Sequence, residues 1–390
     1  MVQGIMSSFS LLTTEDAPKS FEEIRSVVNP KSLFVKDYDE LGLYLLKYMK
    51  NKCDMECENT RMCRGLVLQK DTHKIICAPP SKSIPLEKCK YIENKVDELR
   101  FEEFVDGTMI NLFYCENEKY TGWLISTRSC IGANCRWYSD RNFSELFDET
   151  KNFQYDLFKK DCTYTFVLQH PENRIVEKIQ NGRLILVNVN QVRDNNTIET
   201  LNVEEEQLDL FHKGMSISIP ESYSFKSIEE AKHIVSLMEY EKQGIVVKYN
   251  NIRTKLRNPK YNFVKELRGN SYNLFRNYLE LRQNGYMNAY LEFFPEMSEP
   301  FQGFMSQIHN LTQELFNWYQ KCFVKKEVEH KDVPYVFKPL CYELHKHYLE
   351  TNNIITFFKV KHYINTMPVK RQLFLFRNLT KEEDEAPVED

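Results

Sequence analysis

Glu103-Phe104-Val105-Asp106-Gly107-Thr108 sits inside a strand-rich stretch, residues 61–270, and decides how the rest of the chain is read. Asp-Gly is a turn pair, because glycine takes the backbone conformations that a tight reversal needs. Directly after it, Met109-Ile110-Asn111-Leu112-Phe113-Tyr114 carries the apolar alternation of a strand, as does Gly244-Ile245-Val246-Val247-Lys248-Tyr249 further on. Working outward, basic and glycine-bearing segments flank the turn. Upstream lie Thr60-Arg61-Met62-Cys63-Arg64-Gly65-Leu66-Val67-Leu68 and Pro80-Ser81-Lys82. Downstream come Ser126-Thr127-Arg128-Ser129, Tyr164-Thr165-Phe166-Val167, Asn173-Arg174-Ile175-Val176, Gln243-Gly244-Ile245-Val246-Val247-Lys248 and Thr254-Lys255-Leu256-Arg257-Asn258-Pro259-Lys260-Tyr261.

In this order the segments resemble the motifs of the covalent nucleotidyltransferases, the superfamily of polynucleotide ligases and mRNA capping enzymes, and most closely its T4 RNA ligase 1-like branch. The central stretch resembles the Lys-x-Asp-Gly signature, whose lysine amine attacks the α-phosphate of ATP or GTP. Here that position is Phe104, and a phenyl ring has no lone pair to donate. The acidic residue that the resemblance implies after the aromatic of Tyr164-Thr165-Phe166 is Val167, and the glutamate it implies before Gly244 is Gln243. Both changes remove carboxylates that would support Mg²⁺ and its waters, since hard cations prefer charged oxygen ligands. The family's catalytic set is thus degenerate at Phe104, Val167 and Gln243. The resemblance implies that Arg64, Lys82, Asp106, Gly107, Arg128, Lys255 and Arg257 form a nucleotide pocket, with Asp106 near the sugar and metal and the basic groups toward phosphate. The cofactor it implies is ATP with Mg²⁺, in whatever remains of that pocket; no metal-binding residues are assigned.

Composition sets the frame. The 390 residues exceed the length at which one core usually keeps growing, so two domains are expected. A hydrophobic content of 42% with 28% charged residues is that of a globular chain. No run approaches the roughly 18 apolar residues of a membrane span, and no leader is read at the N-terminus. Eleven cysteines are scattered without a close pair of ligand spacing. A zinc site from Cys53, Cys57 and Cys63 would need His73 or Cys77, at an irregular spacing. Reduced, buried thiols in a cytoplasmic setting are the expectation. The net charge of −4 provides no global field for nucleic acid, but residues 321–380 hold eleven Lys/Arg against five Asp/Glu, a surplus of six.

The fold class expected is α+β: an antiparallel β-rich nucleotidyltransferase domain, ATP-grasp-like in the manner of ligases, then an all-helical C-terminal domain. Residues 1–60 are read as an N-terminal extension packing on the first domain, with a helix at residues 37–50. Residues 61–270 are the ligase-like domain, interrupted by helices at 142–159 and 227–240. Residues 271–380 form the helical domain, with helices at 271–283, 287–293, 300–324, 340–352 and 357–366, and 381–390 an acidic tail. The phrase Tyr290-Leu291-Glu292-Phe293-Phe294-Pro295-Glu296 resembles the C-terminal regions of ligase-like proteins of large double-stranded DNA viruses. The functional expectation is a protein that has lost self-adenylylation and binds a nucleotide, RNA or a protein partner in a viral assembly, with no membrane. The competing expectation is an active ATP-dependent RNA ligase using another lysine.

Overall fold

The computed structural model describes residues 5–9, 21–193, 196–250, 252–271 and 273–384. The chain divides into two compact units, residues 1–265 and 266–390. The first carries every described strand: β1 (Ile5–Ser8), β2 (Leu33–Tyr38), β3 (Leu43–Tyr48), β4 (Arg64–Gln69), β5 (Ile75–Cys77), β6 (Arg100–Glu103), β7 (Thr108–Glu116), β8 (Thr121–Ser126), β9 (Cys162–Gln169), β10 (Arg183–Val192), β11 (Thr197–Leu201), β12 (Ser222–Tyr223), β13 (Gly244–Tyr249) and β14 (Ile252–Arg257). They form three sheets, ordered β1-β11-β10-β9-β7-β8, β12-β6-β13-β14 and β2-β3-β4-β5. Every pairing between these strands is antiparallel. The helices of this unit are α1 (Phe21–Val28), α2 (Glu58–Met62), α3 (Phe143–Thr150), α4 (Val203–His212), α5 (Ile228–Leu237) and α6 (Pro259–Arg268), the last running past the division.

Strand alternation explains the largest sheet. On β9, Tyr164, Phe166 and Leu168 point into a core shared with Ile110, Leu112 and Leu186. Thr163 and Thr165 point the other way, also buried, and are hydrogen-bonded: Thr165 Oγ1 donates to Asn111 Oδ1 at 3.0 Å, and Thr163 Oγ1 accepts from the Ala78 amide at 2.9 Å. Two glycines are obligatory where strands crowd. A Cβ on Gly107 (φ +142°) would lie 2.5 Å from the Leu168 carbonyl oxygen, and one on Gly244 (φ +127°) 2.1 Å from that of Leu256.

The structure corrects the helix expected at 37–50. That segment is the end of β2 and the whole of β3, which pairs on both sides, Leu45 with Lys36 and with Val67. Leu43, Tyr44, Leu45 and Leu46 are all buried, so the strand is apolar on both faces and its pattern lacks the period of two. Residues expected as an extension thus supply strands to the first unit's own sheets. The helix expected over 142–159 stops at Thr150, after a capping box between Asn142 and Glu145. The helix expected over 227–240 is α5, capped at Ser227, whose Oγ accepts from the Glu230 amide at 3.0 Å.

The described secondary structure of the second unit is helical: α7 (Leu274–Asn284), α8 (Met287–Phe293), α9 (Ser298–Tyr319), α10 (Lys338–Thr351), α11 (Phe357–Thr366) and α12 (Val369–Asp384), with a π-helical turn at Gln320–Val324. Tyr290 and Phe294 are fully buried and stack on each other at 4.8 Å, and Tyr290 stacks on Phe301 at 5.1 Å. The aromatic anchors of the Tyr290–Glu296 phrase, Tyr290 and Phe294, therefore serve core packing. Helix α12 had no counterpart in the sequence reading, and it takes up Lys381–Asp384 of the expected tail; residues 385–390 lie outside the described residues. No helix among the described residues is long and apolar enough to cross a membrane.

Candidate functional site

Period-two geometry builds the site. On β14, Arg253, Lys255 and Arg257 alternate with Ile252, Thr254 and Leu256, so the three basic side chains share one face. The register places them opposite Lys248, Val246 and Gly244 of β13, and Val246 in turn opposite Glu102 of β6. The reverse face is apolar: Phe101, Ile245, Val247 and Leu256 pack on Ile228, Ala231 and Val235 of α5. A slip of one residue would drive the charges into that core, which fixes the register.

The charged face lines a cavity of about 260 Å³. Arg64 enters from β4, Val167 from β9 and Lys265 from α6, while Glu102 through Gly107 form one wall. The Phe104 amide donates to the Gly244 carbonyl at 2.9 Å, which anchors its backbone beside β13. Lys255 Nζ lies 3.8 Å from the centre of that ring, and the Arg257 guanidinium 5.3 Å from it. The aromatic ring in the nucleophile's place is thus packed against the amine of another lysine.

Charge is unbalanced here. Six basic side chains line the cavity: Arg64, Lys248, Arg253, Lys255, Arg257 and Lys265. The carboxylates among the lining residues are engaged. Glu102 pairs with Lys248 at 2.6 Å and Glu103 with Lys242 at 2.7 Å. Asp106 accepts from the Val176 and Glu177 amides at 3.1 and 3.0 Å and from the Tyr261 hydroxyl at 2.6 Å. Burial and the neighbouring Arg253, Arg64, Arg257 and Lys265 push Lys255 down to about 6, so its amine is largely neutral at pH 7. Burial also lowers Lys248, Lys265 and Arg64. Burial and then Arg64 lower Arg253, whose guanidinium still keeps its proton at neutral pH.

The residues expected to form the pocket are not all gathered in it. Arg64, Asp106, Gly107, Lys255 and Arg257 line the cavity, with Phe104, Val167 and Gln243. Lys82 instead lines an adjoining groove of about 500 Å³, together with Lys255, Arg257 and Lys232. Arg128 is exposed and is not among the cavity-lining residues; it and Lys82 both approach the Tyr48 ring, at 5.9 and 5.5 Å. Asp106 acts as a clamp on the corner between β6 and β7. Its amide donors belong to and follow the Asn173–Val176 tetrapeptide, and Asn173 Oδ1 also receives the Thr108 hydroxyl at 3.1 Å. Sequence reasoning missed Arg253, Lys248 and Lys265 as cavity residues. Arg253 was detectable, since it continues the alternation of Lys255 and Arg257; Lys265 enters from a helix and left no such trace.

Mg²⁺ does not fit this donor set. Positions 167 and 243 bear no charge, Glu102 and Glu103 are paired with lysines, and three acceptor positions of Asp106 are filled. Among the described residues no group of three His, Cys, Asp or Glu side chains could hold a metal ion, and all eleven cysteines are free thiols. His73, one candidate zinc ligand, is bonded through Nδ1 to the Tyr44 hydroxyl at 2.9 Å.

No family model matches the chain. Among curated proteins, it is similar to an African swine fever virus protein named "Putative RNA-ligase", 28% identical over 120 residues, 30% of this chain and 25% of that protein. It resembles an RNA ligase of Rhodothermus phage RM378 at 27% over 128 residues, 30% of this chain and 28% of that one. A "Putative bifunctional polynucleotide kinase/RNA ligase" of Autographa californica nuclear polyhedrosis virus is 22% identical over 315 residues, 75% of this chain and 43% of its own. Each match spans less than half of the relative's length. Among solved structures, an archaeal ATP-dependent RNA ligase is 14% identical with a TM-score of 0.43, covering 73% of this chain and 70% of that one. A "Putative ATP-dependent DNA ligase" from Aquifex aeolicus is 20% identical with a TM-score of 0.41, covering 80% and 81%. With its motifs in order on an antiparallel core, the chain resembles the ligase-like nucleotidyltransferases, and these viral and phage relatives support that family.

Proposed function

We propose that this is a viral, cytoplasmic ligase-like protein of the T4 RNA ligase 1 branch that has lost self-adenylylation and binds the phosphates of a nucleotide or RNA. Its helical second unit engages a protein partner of the viral assembly. One observation carries the reading: Phe104 stands where the nucleophilic amine belongs, beside positions 167 and 243 that hold no carboxylate. Of the basic groups that would face phosphate in such a pocket, Arg64, Lys255 and Arg257 still line the cavity, so binding outlives the chemistry. Relatives named as RNA ligases support the substrate class. Incubation with labelled ATP and Mg²⁺, followed by a denaturing gel and intact mass, tests it, and no adduct is expected. An acid-labile adduct of one nucleotide would overturn the loss of activity.

A second reading has one observation in its favour. Lys255 is largely unprotonated at pH 7 and lies against Phe104, so an active ligase would draw its amine from there. Peptide mapping of any adduct decides between them: AMP on Lys255 establishes the second reading, which Lys255→Met would then abolish.

A further inference from the structure

We propose that the cavity takes a multiply charged phosphate anion free of any divalent cation, the arginines and lysines of β14 and their neighbours serving in place of the metal. The inference rests on the phosphate-binding reading of this same cavity and narrows it to oligophosphate, whether free, on a nucleotide or at an RNA terminus.

Three observations converge on it. Six basic side chains from four elements, β4, β13, β14 and α6, face one small cavity. The carboxylates beside them are taken, Glu102 by Lys248, Glu103 by Lys242 and Asp106 by two amides and Tyr261. Positions 167 and 243 leave a metal no charged ligand. Half-buried like charges gathered this way raise the energy of the empty cavity, and an anion relieves it. Mg²⁺ on the ligand would cancel two of its charges and bring a cation into a field that repels it.

The same field makes binding take up a proton. In the empty cavity Lys255 faces Arg64, Arg253, Arg257 and Lys265, with Lys248 and Glu102 further along the floor, Glu103 and Asp106 in the wall, and Lys82 and Lys232 in the adjoining groove. A phosphate among these groups favours the ammonium, so about one proton enters per anion at pH 7.5.

Calorimetry on the full chain at low ionic strength tests this, with inorganic triphosphate, ATP and adenosine, each in EDTA and in excess Mg²⁺. Triphosphate and ATP should bind in EDTA and roughly tenfold more weakly in Mg²⁺, while adenosine should not bind. An RNA bearing a 5′-triphosphate, set against the same RNA with a 5′-hydroxyl, separates a nucleotide from an RNA terminus as the source. Repeating the EDTA titration in buffers of different ionisation enthalpy reads the proton, and its absence overturns the role of Lys255. Arg253→Met should weaken binding in EDTA by about tenfold or more while still unfolding cooperatively, although it also loses the bond from Arg253 Nη2 to the Ser81 carbonyl at 2.6 Å. Binding of ATP in Mg²⁺ alone overturns the inference and leaves the phosphate-binding reading intact. No binding of any phosphate in either buffer sinks both.

Discussion

Two collections of positive charge in this chain have the same sign and opposite surroundings. In the β14 cavity every basic side chain but Arg257 is partly or wholly withdrawn from water, and together they outnumber the carboxylates left to them. In the helical unit several lie at the surface and are paired: Arg371 Nη1 and Nη2 meet Glu343 at 3.0 and 2.6 Å, Lys331 meets Glu329 at 2.8 Å and Lys346 meets Glu350 at 3.7 Å. By count the second collection is the more conspicuous, with its surplus of six over residues 321–380. By physics the first is the site we propose. An exposed, paired charge exerts little net field through water and salt, whereas a half-buried unpaired one keeps its full demand for a counter-ion.

The largest expected effect is in the cavity wall. Asp106 accepts from two backbone amides and a buried tyrosine, so Asp106→Ala leaves three donors unsatisfied and should cost about 3 kcal/mol in urea unfolding. Were Asp106 a ligand-facing carboxylate with no structural duty, the variant would be as stable as its parent.

Next in size is the strain stored at Lys255. Its pKa is about 6 folded against 10.5 as an ordinary lysine, so between those values the unfolded chain binds a proton that the folded chain refuses. Stability from this group therefore falls as pH drops from 10.5 toward 6 and changes no further below that. Lys255→Met should be more stable than the parent by about 2 kcal/mol at pH 7, and the gap should narrow by up to about 1.4 kcal/mol per pH unit on raising the pH. Equal stability of the two across pH 6–9 would show that water reaches the amine and that the cavity is not electrostatically strained.

How much of this was legible in the sequence differs between the two regions. The motif order located β4, β6, β9, β13 and β14, and the pairing of polar and apolar positions on β14 was there to be read once Arg253 was included. The β3 strand was not legible, because Leu43–Leu46 is buried on both faces and carries no alternation to separate it from a helix. The engagement of Asp106 was not legible either. Its partners, Val176, Glu177 and Tyr261, come from distant positions, and backbone amides leave no signature in residue type. Pairing was likewise hidden in the helical unit, where Arg371 and Glu343 lie on different helices.

Smaller effects belong to the paired surface charges. Arg371→Ala breaks a two-pronged contact with Glu343, but both groups are exposed to water, so the loss should be roughly 0.5–1 kcal/mol by thermal unfolding in low salt, and less in high salt. A loss of several kcal/mol would place that pair in the same class as the cavity.

The smallest expected effect is the one that tests the comparison most directly. Lys325, Lys326 and Lys370 belong to the basic surplus, and reversing all three to glutamate changes the unit's charge by six without entering the cavity. If the helical unit bound RNA through this surplus, affinity would fall for every sequence and the salt slope would shrink by about one for each lost phosphate contact. With the cavity as the phosphate site, RNA affinity at fixed salt should change by less than about twofold. Arg253→Met, by contrast, should weaken it strongly. The pair of variants therefore reads out where phosphate is held: a steep loss in the triple variant with none in Arg253→Met would reverse the assignment, moving the site from the few withdrawn cations to the many exposed ones.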